Sequence, residues 1–170
     1  MINNFISLSL GSNLGDRKAN IIQAVELLIK KKIIFDYRLS KIIETDALLL
    51  EGSPKSWDIK FLNAVMCGFT NFSPIRLLSQ LKEVERTLGR DFSDKKWAPR
   101  TIDIDILFYN DFCINNNDIN IPHPEFLNRR FLVKMMAEIS PGYLYPNEGN
   151  FFQKKIVDIY SSFQNEEVPN

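Results

Sequence analysis

The stretch Trp97-Ala98-Pro99-Arg100-Thr101-Ile102-Asp103-Ile104-Asp105-Ile106 says most about how this chain folds. From Arg100 onward polar and apolar residues alternate, which is the period of a β-strand. Residues two apart on a strand point the same way, so Asp103 and Asp105 share one face. The isoleucines between them point to the other face and can lie in a core. The stretch therefore predicts a strand over residues 100–106 that carries two neighbouring carboxylates.

Two carboxylates side by side on a pleated surface repel each other, and a hard divalent cation removes that repulsion. Mg²⁺ binds one or two protein carboxylates together with phosphate oxygens and water. Arg100, at the edge of the same strand, adds a planar fork of donors that suits phosphate. The pattern thus predicts a metal and phosphate site that contains Asp103 and Asp105. The alternative is a half-exposed edge strand with solvated aspartates, although Asp is depleted in strands.

Length and composition fit one compact domain, which we expect over residues 1–163, followed by a C-terminal tail or cut linker over residues 164–170. The formal net charge is zero, so no overall field attracts nucleic acid or an anionic membrane. No apolar run approaches the ~18 residues of a membrane span, and no signal peptide is evident. We therefore expect a cytoplasmic protein that binds neither nucleic acid nor membrane.

Hydrophobic periodicity predicts an α+β fold. Ser73 is expected to cap the second helix and Gly89 to end it, while no element is predicted in the last ~20 residues. The order favours a ferredoxin-like α/β sandwich, a mainly antiparallel sheet with helices packed on one face of it. The predicted strands lie near residues 5–10, 33–45, 61–69 and 100–106, and the predicted helices near residues 21–32, 74–88 and 129–138.

A histidine and several basic residues surround the predicted strand in sequence. His123 is the only histidine, and Pro122 and Pro124 fix the backbone on both sides of it. We expect it to donate a hydrogen bond or charge to phosphate, although a lone histidine is often structural. Cations near two carboxylates suit phosphoryl transfer, and the alternative is a solvated charged surface. These cations are Arg90, Lys95, Lys96, Arg100, Arg129 and Arg130.

Aromatic and amide side chains in other segments suit a flat heterocycle. Phe61 and Phe131 could stack on its faces while Asn63 pairs with its edge, although aromatic residues at such places are more often core. Asn63 inside an apolar strand needs hydrogen-bond partners. The segment Gly11-Ser12-Asn13-Leu14-Gly15 could let a ligand approach the backbone, but a plain strand-to-helix turn explains it as well. It lacks the Walker pattern, which excludes a P-loop kinase.

These motifs together resemble the 6-hydroxymethyl-7,8-dihydropterin pyrophosphokinase family of folate biosynthesis, over residues 4–147. The resemblance implies an enzyme that transfers pyrophosphate from ATP to 6-hydroxymethyl-7,8-dihydropterin, giving AMP and the pterin pyrophosphate. The order and spacing of the matching segments carry it. They are residues 10–16, Glu44-Thr45, residues 61–65, Glu85, residues 88–90, residues 97–105, residues 122–124, Arg129 and Phe131.

The resemblance also implies a role for each matching residue. Asp103 and Asp105 would be the ligands of two Mg²⁺ ions, and ATP would be the cosubstrate. Arg90 and Arg100 would join the two aspartates as catalytic residues. The residues on the ATP side would be Glu85, Trp97, Arg100, Ile106, His123 and Arg129. The residues on the pterin side would be Thr45, Phe61, Asn63, Trp97 and Phe131.

Some positions depart from the family. Asp46-Ala47 stands where the family usually has proline after the Glu-Thr pair, and Phe92 stands where a second loop arginine is expected. Lys95 or Lys96 could supply that charge instead. The loop over residues 48–60 is longer than in compact members, and we expect it to close over substrate together with residues 90–96.

Two other functions stay open at this point. One is another two-metal nucleotidyl or phosphoryl transferase. The other is a nucleotide- or pterin-binding module without turnover, for which Phe92 and Asp46 are the only hints. Some members of the family are fused to dihydropteroate synthase, so this chain could be fused to that enzyme or followed by it.

Overall fold

The computed structural model describes residues 3–49, 51–92 and 98–166. The strands within these residues are β1 (Asn4–Ser12), β2 (Phe35–Leu39), β3 (Ile43–Thr45), β4 (Phe61–Thr70), β5 (Asp103–Tyr109), β6 (Ile114–Asn115) and β7 (Asn120–Ile121). The helices are α1 (Arg17–Lys30), α2 (Pro74–Thr87), α3 (Arg130–Ile139) and α4 (Ile156–Glu166), and a short 3₁₀ helix (Lys55–Trp57) lies between β3 and β4.

The first five strands form one antiparallel sheet, so the predicted α+β fold with an antiparallel sheet is confirmed. Strands β2, β4, β1 and β5 follow one another, and β3 also pairs with β4. The register puts Gly11 of β1 opposite Asn63 of β4 on one side and Asp103 of β5 on the other. Ser9 lies opposite Asp105 in the same way. A row of residues thus crosses the sheet from Asn63 to Asp103 with a glycine at its centre.

Helices cover both faces of the sheet, so the prediction of one covered face is wrong. One core cluster joins α1 and α2 to the face that contains Leu10 and Ile104. A second cluster joins α3 and α4 to the face that contains Val65 and Leu107. Because β4 and β5 carry apolar residues on both sides of the pleat, both of their faces need a covering layer.

Strand β5 begins at Asp103, so the predicted strand over residues 100–106 starts three positions too early. The aspartates share one face as predicted, and Ile104 is fully buried on the other. Arg100 lies before the strand rather than at its edge. Its backbone N–H donates to the side-chain oxygen of Asn13 (2.8 Å), and its C=O accepts from the Asn13 N–H (3.2 Å). These two bonds take the place of a strand ladder.

The helix ends agree with the sequence in part. The Asp16 carboxylate caps α1 by accepting from the Ala19 N–H at 3.0 Å. Helix α2 begins at Pro74 and is followed by Gly89 with φ +82°, as predicted, whereas the side chain of Ser73 makes no capping hydrogen bond. Helix α4 is an element that the sequence does not predict, and it includes residues 164–166 of the expected tail. The boundary at residue 163 stays a prediction.

None of the helices in the described part of the chain is both long and apolar enough to cross a membrane.

Gly68 of β4 is a position where the sheet leaves no room for a side chain. A Cβ there would lie 2.8 Å from Ile34 Cγ1 and 2.8 Å from the carbonyl oxygen of Phe35. We expect Gly68→Ala to lower the free energy of unfolding by about 1–3 kcal/mol, because the packed core has to shift. Urea denaturation measures this. The matched control is Gly142→Ala, since nothing lies within 4 Å of a Cβ at that position. Equal stability of the two variants would contradict the packing argument.

Candidate active site

The two aspartates of β5 line one cavity of about 180 Å³. Their side chains are 22% exposed for Asp103 and 32% exposed for Asp105, so both carboxylates remain accessible from the cavity. The cavity lies on the sheet face that α3 and α4 cover, at the end that these helices leave open. Its floor includes Ser9 and Gly11, the residues of β1 that lie opposite the aspartates. A small floor residue beside each carboxylate leaves space above it for a ligand.

Two arginines hold the carboxylate of Asp103. The guanidinium of Arg90 donates to one oxygen, and Arg100 Nη1 donates to the other at 2.9 Å. Burial by itself would raise the pKa of Asp103, but the positive charges of Arg90 and Arg100 outweigh it and the pKa is lowered. Asp103 is therefore ionised at neutral pH.

Glu85 of α2 lies behind Asp103 and fixes Arg90. Its Oε1 accepts from Arg90 and from the backbone N–H of Ile104 (2.7 Å), and its Oε2 lies 2.9 Å from Lys82 Nζ. The side chain is 0% exposed, and burial raises its pKa against the pull of both cations. Glu85 thus ties α2 to β5 and is not among the residues that line the cavity, and its place on the ATP side stays a prediction.

His123 lies beside Asp105 but is not among the residues that line the cavity. Its Nε2 lies 3.9 Å from Asp105 Oδ2, while its Nδ1 accepts from the backbone N–H of Glu125 at 3.1 Å. An acceptor at Nδ1 assigns the ring proton to Nε2. Burial lowers the pKa of His123, and the charge of Arg129 adds to this, although Asp105 opposes it. Burial also raises the pKa of Asp105, and the neighbouring charge of Asp103 raises it further.

The described residues predicted for the pterin side, Thr45, Phe61, Asn63 and Phe131, line the same cavity. Asn63 Nδ2 donates to Thr45 Oγ1 at 2.8 Å, which fixes the orientation of the amide. A Cβ at Gly11 would lie only 3.1 Å from Asn63 Oδ1, so a glycine is what admits this amide. Phe61 and Phe131 line the cavity as well. The result is an apolar chamber with one oriented amide on its wall.

The cavity also contains residues that the sequence analysis does not select. Trp57, Leu48 and Leu49 form part of its apolar wall, and Asn13 and Leu132 line it too. Trp57 belongs to the 3₁₀ helix in the long loop, where no hydrophobic period marks it. The sequence did mark Asn13, because it stands in the turn after β1. That turn could serve a ligand that approaches the backbone, or it could be a plain strand-to-helix turn.

Other predicted residues lie away from the cavity. The side chain of Ile106 is 5% exposed and packs in the core on the face opposite Asp105, so it could reach a nucleotide only with its backbone. Arg130 donates to the carbonyl oxygen of Phe163 (3.4 Å) and covers its ring, which is a structural contact with α4. Trp97, Lys95 and Lys96 lie outside the described residues.

The positions that depart from the family have partners of their own. Asp46 lines the cavity and lies 3.4 Å from Lys60 Nζ, in an exposed pair that contributes little to stability. The ring of Phe92 lies within 4.9–5.8 Å of three cations, Lys82, Arg86 and Arg90. Phe92 adds no charge, but it packs beside the arginine that holds Asp103.

Comparison with protein families matches residues 7–141 to the family described as 7,8-dihydro-6-hydroxymethylpterin-pyrophosphokinase. A pyrophosphokinase of Aquifex aeolicus, 2-amino-4-hydroxy-6-hydroxymethyldihydropteridine pyrophosphokinase, is 35% identical over 145 residues, which are 83% of each chain. The protein of the same name in Bacillus subtilis is 36% identical over 81% of this chain and 79% of that one.

Longer relatives and solved structures match as well. The folate synthesis bifunctional protein of Chlamydia caviae is 45% identical over 89% of this chain, and the chain spans 34% of that relative's length. The crystal structure of wild-type Plasmodium falciparum HPPK-DHPS superposes with a TM-score of 0.66 over 97% of this chain and 45% of that one. Its sequence identity is 16%, so this likeness concerns the fold alone.

His123 offers a pH test of the site, because its imidazole is the only one in the chain. We expect its pKa in the folded protein to lie below the ordinary 6.5. As pH falls below 6.5, the unfolded chain then takes up the proton first, so the free energy of unfolding decreases through this window. NMR titration gives the pKa, and urea denaturation between pH 7 and 5 gives the slope. His123→Gln should remove the histidine part of that slope. A pKa above 6.5 would contradict the described burial.

Proposed function

This chain belongs to the 7,8-dihydro-6-hydroxymethylpterin-pyrophosphokinase family, and on that premise we propose that it transfers the β,γ-diphosphate of ATP to 6-hydroxymethyl-7,8-dihydropterin. The products would be AMP and the pterin pyrophosphate, as a step of folate biosynthesis. The observation that carries the proposal is a cavity that joins an aspartate pair to an apolar chamber with an oriented amide. One end suits a metal-bound triphosphate and the other suits a flat polar heterocycle.

The chamber supports a pterin as the acceptor. Phe61 and Phe131 offer flat apolar surface for the faces of the ring system. Asn63 can donate and accept along the edge of a pterin, and its bond to Thr45 decides which group faces the ring. Trp57 adds aromatic surface from the loop, which would exclude water once the ring is bound.

The donor set at the other end fits Mg²⁺. Among the described residues no group of three or more potential metal-binding side chains occurs, so the protein itself offers two carboxylates. Mg²⁺ needs few protein ligands when phosphate oxygens and water complete its shell. No described residue donates a hydrogen bond to the Asp105 carboxylate, and burial together with the neighbouring charge of Asp103 raises its pKa. We propose that Asp103 and Asp105 hold two Mg²⁺ ions.

Bound Mg²⁺ would neutralise the triphosphate and align the attacking and leaving oxygens. The chain's own cations would supply the remaining positive charge. Arg100 and Arg129 line the cavity, and the buried Nε of Arg129 has no hydrogen-bond partner among the described residues. A phosphate oxygen would satisfy it. His123 Nε2–H would donate to a second phosphate oxygen, and Arg90 would keep Asp103 ionised and in place.

The reaction balances as one in-line displacement. The hydroxymethyl oxygen of the pterin would form a bond to the β-phosphorus of ATP and release its proton to solvent. The bond from that phosphorus to the oxygen that bridges it to the α-phosphorus would break, and AMP would leave with that oxygen and the electron pair. Arg100 and Arg129 would stabilise the negative charge that develops on the transferred group and the leaving oxygen.

The partners of this activity follow from the relatives. Proteins with the matching domain are named as bifunctional folate synthesis proteins or HPPK-DHPS. We propose that this chain likewise acts with dihydropteroate synthase, fused to it or followed by it. A location in the cytoplasm, and the lack of nucleic-acid and membrane partners, stay predictions.

Product analysis tests the function. With ATP, Mg²⁺ and 6-hydroxymethyl-7,8-dihydropterin, we expect AMP to appear one-for-one with the pterin pyrophosphate. ADP or free pyrophosphate would instead indicate another phosphoryl or nucleotidyl transferase. Binding of both substrates without any product would indicate a binding module.

Substitution of the aspartates tests the metal assignment. We expect Asp103→Asn and Asp105→Asn each to lower kcat by more than about 100-fold, since loss of a direct metal ligand should cost more than loss of an outer partner. The matched control is Asp111→Asn, an exposed aspartate in the turn after β5. A rate within a few-fold of wild type for either active-site variant would exclude that residue as an essential ligand.

A further inference from the structure

We propose that Asn13 is a positioning residue that joins the pterin side of the cavity to its phosphate side. It is the first residue after β1, it is 3% exposed, and it lines the cavity. This inference rests on the proposed function and gives a role to a residue that so far belongs only to the turn segment over residues 10–16. Asn13 acts through its neighbours, because both polar atoms of its side chain are bonded to protein groups.

One arm of Asn13 fixes the phosphate side. Its side-chain Oδ1 accepts from the backbone N–H of Arg100 at 2.8 Å, and its own N–H donates to the Arg100 carbonyl at 3.2 Å. These bonds place the Arg100 backbone immediately before β5. From there the guanidinium reaches Asp103 Oδ2 (2.9 Å) and the Ala98 carbonyl (3.1 Å). A shift of that backbone would move the arginine away from the carboxylate.

The other arm fixes the pterin side. Asn13 Nδ2 donates to the carbonyl oxygen of Ile59 at 3.3 Å, and Arg17 Nη1 donates to the next carbonyl, that of Lys60, at 2.7 Å. Ile59 and Lys60, which we call the strap, come immediately before Phe61, the first residue of β4. Asn13 and Arg17 therefore hold the start of the strand that presents Phe61 and Asn63.

An asparagine suits this position for a chemical reason. A primary amide carries an acceptor and a donor on one short side chain, and here each serves a different half of the cavity. Aspartate keeps the acceptor for Arg100 but loses the donor for Ile59 and adds repulsion toward its carbonyl oxygen. Leucine has a similar size and loses both. Asn13→Asp therefore removes the bond to Ile59 alone, and Asn13→Leu removes both side-chain bonds.

Steady-state kinetics of Asn13→Asp and Asn13→Leu test the inference, with KM for the pterin, KM for ATP and kcat as separate readouts. We expect Asn13→Asp to raise KM for the pterin about tenfold, which is the size of one lost buried hydrogen bond, and to leave KM for ATP within about twofold. Asn13→Leu should in addition lower kcat about 10–100-fold, because Arg100 loses its anchor.

The matched control is Asn20→Asp. Asn20 Nδ2 donates to the Leu14 carbonyl (2.9 Å) and to Ser12 Oγ (3.2 Å), so the same change removes donors from the same turn. It touches neither Arg100 nor the strap, and we expect all three kinetic constants to stay within about twofold of wild type. If Asn13 had only a structural role, substitutions at Asn13 and Asn20 would lower the free energy of unfolding, and KM for the pterin and KM for ATP would change together.

The results of these kinetic experiments distinguish a failure of the Asn13 role from a failure of the proposed function. An active wild type whose Asn13→Asp variant matches Asn20→Asp, or changes both KM values equally, would overturn the role of Asn13 and leave the proposed function in place. A wild type without turnover would overturn the proposed function and this inference with it. If Asn13→Leu does not fold by circular dichroism, Asn13→Asp decides alone. If neither variant folds, Asn13 is a structural residue and the inference is wrong.

Discussion

The carboxylate of Asp103, held between the guanidinium groups of Arg90 and Arg100, is the interaction on which the site depends. Both arginines arrive from outside the sheet, Arg90 from the end of α2 and Arg100 from the segment before β5. Glu85 fixes the first and Asn13 fixes the second. A buried charge cluster of this kind is stable only when each member is paired, so the elements that deliver the charges cannot shift independently.

The same arrangement explains how a chain with zero net charge could handle a highly charged substrate. Arg100 and Arg129 line the same cavity as the two aspartates, so the cations that a phosphate needs are supplied locally. Under the proposed function, Mg²⁺ has to share Asp103 with two guanidinium groups, whereas Asp105 has no such partner in the described residues. The two aspartates thus differ in environment although they lie two residues apart on one strand.

The polar and apolar pattern of the sequence predicted those features that depend on residues close together in the chain. Alternation placed Asp103 and Asp105 on one face and Ile104 in the core, since a strand has a fixed period of two. The start of β5 was not predictable in this way, because the bonds from Asn13 to Arg100 join residues far apart in the chain. Trp57 was missed because a loop has no period. Helix α4 was missed although Ile156, Ile159, Tyr160 and Phe163 recur at helical spacing and pack in the second core cluster.

The resemblance to the family supplied roles for residues that the sequence pattern alone could not assign. The structure then divides these residues into those that line the cavity and those that lie away from it. Thr45, Asn63, Phe61 and Phe131 meet at one end of the cavity, whereas Glu85 and the side chain of Ile106 lie away from it.

A crystal structure with a non-hydrolysable ATP analogue and Mg²⁺ tests the central claim most directly. The account predicts two metal ions bound to the carboxylates of Asp103 and Asp105 at about 2.0–2.1 Å. Density with the nucleotide bound, both carboxylates free of metal and Asp103 still paired only with its arginines would contradict it.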